Sequence, residues 1–121
     1  MSRDLGLYLQ DICDCIEKIK GYIKDVDYDD FVQDTKTLDA VTHNLLIIGE
    51  ATKQIPDSLR RQYPEVPWRQ VAGLRDVIAH TYFKLNGQIV WDIINNELDP
   101  LHGTIVIMLN DKDRIDSQKV N

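Results

Sequence analysis

Arg75, His80 and Tyr82 place a permanent cation, a near-neutral acid or base and a phenol within a stretch of eight residues. Together they suit phosphodiester chemistry. Cleaving RNA without a metal needs a base for the ribose 2′-hydroxyl proton, an acid for the departing 5′-oxygen and a cation for the charge on phosphorus. An imidazole with an unperturbed pKa of about 6.5 can serve as the base or the acid, and a guanidinium offers forked donors to phosphate oxygens. One histidine cannot make both proton transfers at once. A symmetric dimer that brings two copies of the cluster together would supply the second.

On a helix at about 100° per residue, with Arg75 at 0°, Tyr82 falls near 340°, Asp76 near 100° and His80 near 140°. Val71, Leu74, Val77 and Ile78 gather on the other side as an apolar stripe suited to a core. Ala72 and Ala79 lie between Arg75 and His80, so the floor of the polar face is nearly bare. Small residues there let a phosphate or the matching helix of a second subunit come close to the backbone. The plain alternative is a solvated face on which Asp76 and His80, at i and i+4, make a weak pair. The bare alanines, the nearby phenol and a local excess of positive charge favour chemistry.

The elements that position the cluster follow from periodicity. Leu5, Leu9, Ile12, Ile16, Ile19 and Ile23 recur at intervals of three and four and predict an amphipathic first helix. The aspartate-rich run 25–30 is turn-prone and supplies caps. A short helix over 28–34 then leads into a longer one ending near Gln54. In the longer helix Leu38, Val41, Leu45, Ile48 and Ile55 share a face, and Leu46 and Ile47 widen it, predicting the central, most buried helix. Pro56 closes it, residues 56–64 read as a short surface turn, and Pro67 opens the helix that carries the cluster. After the turn at Asn86 and Gly87, Ile89 to Ile94 predict another helix, interrupted at Pro100 and followed by one over 101–109. No alternating strand pattern and no repeat is visible. An all-α bundle of four to five helices plus short ones is expected, as one domain over 1–121 with a flexible tail from about 110.

Composition sets bounds. At 121 residues with 43% hydrophobic residues, the chain can bury a core without disulfides or metals. Cys13 and Cys15, at i and i+2 on a helix, point apart and are expected to be reduced and packed. The apolar runs are too short to span a bilayer and no signal peptide is visible, which predicts a cytoplasmic protein with no membrane contact. A net charge of −6 argues against broad nucleic-acid binding. Residues 53–84, however, hold six basic residues against three acidic ones, leaving the rest of the chain at −9. That asymmetry would confine nucleic acid to one edge.

Other candidates are weaker. His43, His80 and His102 lie on separate segments without Glu-x-x-His or His-x-x-x-His spacing, so neither a metal site nor a cofactor is expected. His43 reads as a polar-face residue, and Trp68 and Trp91 as core or interface anchors. Glu50, at the edge of the buried surface, reads first as a hydrogen-bonding partner of a neighbouring helix. Its functional alternative is to orient His80 or Arg75.

The run from Arg75 to Tyr82 matches an Arg-x4-His-x-Tyr motif and resembles the HepT-like toxins of the HEPN superfamily. Ile47-Ile48-Gly49-Glu50-Ala51, the segment from Tyr63 to Trp68, and Val90-Trp91 are similar to that family too, so the resemblance covers roughly residues 5–110. It implies a helical homodimer with paired motifs at the interface and metal-independent endoribonuclease activity on RNA, with Arg75 and His80 catalytic. It also implies a partner, an MntA-type minimal nucleotidyltransferase antitoxin that transfers AMP from ATP to Tyr82. AMP there would put phosphate and adenine beside Arg75 and fill the cleft. Asp76 stands where the family also carries Asn. A second reading of the same residues is a non-catalytic helical module that holds a nucleotidyltransferase or a nucleotide in this cleft.

Overall fold

The computed structural model describes the backbone of residues 4–81 and 87–119, and the side chains of 4–79 and 87–111. All the regular structure described is helical: α1 (Leu5–Ile23), α2 (Tyr28–Gln33), α3 (Thr35–Lys53), α4 (Asp57–Arg60), α5 (Trp68–Ala72), α6 (Leu74–Thr81) and α7 (Gly87–Lys119). The long members are α1, α3 and α7, with four short segments linking them. No helix among the described residues is long and apolar enough to cross a membrane.

Aspartates start the first three helices by accepting from otherwise orphaned backbone N–H groups. Asp4 accepts from Gly6 at 3.0 Å, Asp27 from Asp30 at 2.9 Å and Asp34 from Thr37 at 3.1 Å. Asp34 also accepts from the Thr37 hydroxyl at 2.6 Å, and that bond, followed by the backbone one, holds its carboxyl below the usual carboxylate range. Asp25 takes up the left-handed conformation, φ 59°, that turns the chain from α1 towards α2.

The apolar spacing of α1 becomes its packed face, with Leu9, Ile12, Ile16 and Ile19 fully buried. Cys13 and Cys15 are buried and free of disulfide. The central position goes to α3, which packs on α1, α2, α5 and α6, while α7 lies across α1 and α2. Leu38, Val41, Leu45 and Ile48 fill its inner face. Leu46 and Ile47, expected to extend that buried face, are only half-buried. Trp91 joins α7 to α2, its ring centroid 5.0 Å from Phe31 and 6.0 Å from Tyr28.

Arg60 closes the C-terminal end of α3, its Nη2 donating to the Thr52 carbonyl at 2.7 Å, where the helix leaves unpaired acceptors and partial negative charge. Its side chain is largely buried, at 18% exposure. Arg60→Ala is therefore expected to lower the unfolding free energy by about 2 kcal/mol, read from the midpoint of a urea titration; an unchanged midpoint would remove this cap from the account.

One expectation of the sequence is corrected in α7. The helix runs unbroken through Pro100. Proline costs the hydrogen bond to the carbonyl four residues earlier, but Asn96 and Pro100 are both exposed, so water can reach that carbonyl. On the opposite side Ile94, Leu98, Leu101 and Ile105 are buried and keep the two halves in one line. The backbone of α7 is helical to Lys119.

Candidate active site

The motif helix is two pieces, not one. At the end of α5 the Gly73 N–H bonds the carbonyls of Arg69 and Gln70, and the Gly73 carbonyl then accepts from Asp76 at 3.0 Å and Val77 at 3.2 Å to begin α6. Val71, Leu74 and Ile78 are buried as their spacing predicts, but Val77 is 40% exposed. Val77 instead borders a groove of about 360 Å³ with Gln70, Leu74, Ile89, Ile93 and Glu97. Burial in that groove pushes the Glu97 carboxyl above its usual range.

The outer face of α6 carries Arg75, Asp76, Val77 and Ala79, all exposed, with Ala72 half-buried on α5. The small-residue floor expected between Arg75 and His80 is thus open at Ala79. His80 lies on the α6 backbone, one residue beyond Ala79, and its side chain is outside the described residues, as is the whole of Tyr82.

Arg75 does not project alone. Its Nη1 donates to Glu50 Oε1 on α3 at 3.5 Å, and Lys53 Nζ reaches the same oxygen at 3.4 Å. Glu50 is thus a hydrogen-bonding partner of a neighbouring helix, through Arg75. Their side chains are 48% and 63% exposed, so the pair adds little to stability.

Gly49 explains how α6 comes so close to α3. A Cβ on Gly49 would lie 3.3 Å from the Val71 carbonyl oxygen, 3.4 Å from Leu74 Cβ and 3.5 Å from the Arg75 backbone nitrogen. The bare backbone lets the α5–α6 junction sit directly on α3, next to the residue that holds Arg75. Gly49→Val is expected to destabilise by about 1–3 kcal/mol through overpacking, with Gly49→Ala milder, as read by thermal unfolding. A valine variant as stable as the parent would show that the junction has room to spare.

The entry to α5 is anchored from two sides. Trp68 Nε1 donates to the Tyr63 carbonyl at 2.9 Å, and the Tyr63 hydroxyl donates to Asp111 on α7 at 2.7 Å. Beside Glu50, a groove of about 430 Å³ between α1 and α3 is bordered by Tyr8, Asp11, His43, Leu46, Ile47 and Glu50. Sequence reasoning left His43 as a polar-face residue. Its interval of seven from Glu50 puts the two on one face of α3, a readable signal, but Tyr8 and Asp11 opposite come from a different helix. Leu46 and Ile47 owe their partial exposure to the same groove.

Comparisons with known proteins give the family. Residues 12–106 match the family model described as Ribonuclease HepT-like. The chain is 39% identical over 103 residues to "Probable ribonuclease HepT" of Thermococcus cleftensis, covering 85% of this chain and 94% of that protein. It is 40% identical over 97 residues to "Putative RNase MJ0127" of Methanocaldococcus jannaschii, covering 80% of each. A bacterial relative, "Putative RNase TTE0752" of Caldanaerobacter subterraneus, is 37% identical over 94 residues, covering 78% of this chain and 84% of that protein. No solved structure gives a significant match. The match spans most of α1 to the middle of α7 and includes Gly49, Glu50 and the run from Arg75 to Tyr82, so the chain belongs to the HepT-like ribonuclease family.

Proposed function

We propose that this protein is a metal-independent endoribonuclease that works as a homodimer, the toxin of a two-component toxin–antitoxin pair. The observation that carries the reading is Arg75, presented on the exposed face of α6 and held by Glu50, inside a chain of the HepT-like ribonuclease family. In the dimer, Arg75 from each protomer binds the scissile phosphate. His80 of one protomer takes the 2′-hydroxyl proton as the 2′-oxygen attacks phosphorus, and His80 of the other protonates the leaving 5′-oxygen. The products are a 2′,3′-cyclic phosphate and a free 5′-hydroxyl.

Control falls to Tyr82. Its hydroxyl oxygen attacks the α-phosphorus of ATP on an MntA-type nucleotidyltransferase, losing its proton and releasing pyrophosphate. The AMP group then neutralises Arg75 and occupies the space RNA needs.

The test is cleavage of labelled RNA by the purified chain with EDTA present, the native mass being measured in parallel. Cyclic-phosphate ends and a dimeric mass are expected. A monomer, or a protein that binds the nucleotidyltransferase yet leaves RNA intact, would overturn the reading in favour of a non-catalytic module. For the control step, intact-mass measurement after incubation with the nucleotidyltransferase and ATP should show gains in AMP multiples that vanish in Tyr82→Phe; a gain that persists assigns the acceptor elsewhere.

A further inference from the structure

Away from the α3–α6 face, the seam between α1 and α7 brings three different metal-ligating groups together. Cys13 Sγ lies 3.5 Å from His102 Nε2 and 3.7 Å from Glu17 Oε1, and His102 Nε2 lies 3.7 Å from the same Glu17 oxygen. A zinc ion bound tetrahedrally, with Zn–S of about 2.3 Å, Zn–N of about 2.0–2.1 Å and Zn–O of about 2.0–2.2 Å, separates its ligand atoms by about 3.3–3.7 Å. The two distances from the sulfur fall on those edges, and the nitrogen–oxygen distance of 3.7 Å is about 0.2 Å longer than its own edge, so an ion could sit below the triangle with a small closing movement of the exposed Glu17.

The donor set is selective as well as well spaced. A thiolate, an imidazole and a carboxylate favour zinc-class divalent ions over magnesium or calcium, which prefer oxygen alone. The charges also balance. Deprotonated Cys13 and Glu17 carry two negative charges, His102 binds as the neutral ring, and a divalent ion brings the group to zero. Burial, followed by the charge of Glu17, pushes the Cys13 thiol up; binding releases that proton to solvent and must overcome this cost.

Burial is graded across the cluster. Cys13 is 6% exposed, while the His102 and Glu17 side chains are 26% and 62% exposed. The sulfur is set in the seam and the carboxylate faces water, which leaves an entry path and a fourth position for a water molecule. His102 follows the buried Leu101 on α7, so its backbone is fixed by the core, and Cys13 and Glu17 are one helical turn apart on α1. The geometry points to a zinc-class site of Cys13, Glu17 and His102 that clamps α7 to α1. The lack of His-x-x-x-His spacing does not count against it, because the ligands come from two helices.

The experiment uses the reduced, chelator-treated full chain titrated anaerobically with Co²⁺ and then Zn²⁺. One Co²⁺ per chain is expected, with a thiolate-to-cobalt charge-transfer band in the near ultraviolet, intense visible bands of tetrahedral cobalt, and loss of both on adding Zn²⁺. Cys13→Ala and His102→Gln should each abolish the charge-transfer band, Glu17→Gln should weaken binding, and Cys15→Ala should leave all of it unchanged. Zn²⁺ should raise the melting temperature of the parent by several degrees and that of His102→Gln not at all. His102→Gln changes a less buried side chain than Cys13, so it keeps the test open should Cys13→Ala unfold. Absence of the charge-transfer band in the parent, or its survival in Cys13→Ala or His102→Gln, would overturn the site. These readouts do not involve RNA, so the outcome is independent of the ribonuclease proposal.

Discussion

His80→Ala is expected to slow RNA cleavage by about 10²–10⁴-fold, the usual share of a positioned acid or base, while fold and dimer are retained. The fold should survive because His80 lies near the C-terminal end of α6, after the exposed Ala79, and the core contacts of this helix come from Leu74 and Ile78. Single-turnover cleavage of a labelled RNA gives the rate, and circular dichroism with native mass checks the fold and the dimer. Mixing adds a sharper test. If each scissile bond needs a histidine from both protomers, chains exchanged at equal amounts with His80→Ala should lose about half their activity per parent chain, the share caught in mixed dimers. Full activity per parent chain after exchange would mean that each protomer cleaves alone, and the two-histidine mechanism would have to be abandoned.

Much of the scaffold was legible because it rests on local pattern. The buried faces of α1 and α3 follow from apolar spacing, and the start of α2 in an acidic turn follows from helix capping. What the sequence misjudged are places where a local rule meets tertiary packing. Proline reads as a break, yet the solvent beside Asn96 and the buried side of α7 let the helix pass through Pro100. Val77 reads as part of the core stripe, yet it is 40% exposed and forms a groove wall.

The site shows the same division. Arg75, Asp76, Ala79 and His80 could be placed on one helix from spacing alone. The link from Glu50 to Arg75 spans 25 residues, and it depends on Gly49 lacking a side chain where α6 crosses α3. Gly49 and Glu50 were visible as part of a family resemblance, but the reason for a glycine next to an acid is a contact between helices. His102 and Cys13, 89 residues apart, meet for the same kind of reason.

Arg75→Ala is expected to reduce cleavage by about 10²–10³-fold, the loss typical of one donor aimed at developing transition-state charge. A purely structural role for Arg75 makes the opposite forecast. The guanidinium is 63% exposed and its contact with Glu50 is 3.5 Å long, so its removal should shift the urea midpoint very little. Activity lost without stability lost is thus the signature to look for. Arg75→Lys keeps the charge but not the fork, and should recover only part of the rate if two phosphate oxygens are held at once. Glu50→Gln separates orientation from charge. It keeps an acceptor for Arg75 while removing the carboxylate that competes with phosphate for the guanidinium, so a change of at most a few-fold is expected, mainly in KM. A fall in kcat for Glu50→Gln as deep as that for Arg75→Ala would instead place Glu50 in the chemistry itself, and Arg75 could no longer be treated as the group that meets the phosphate on its own.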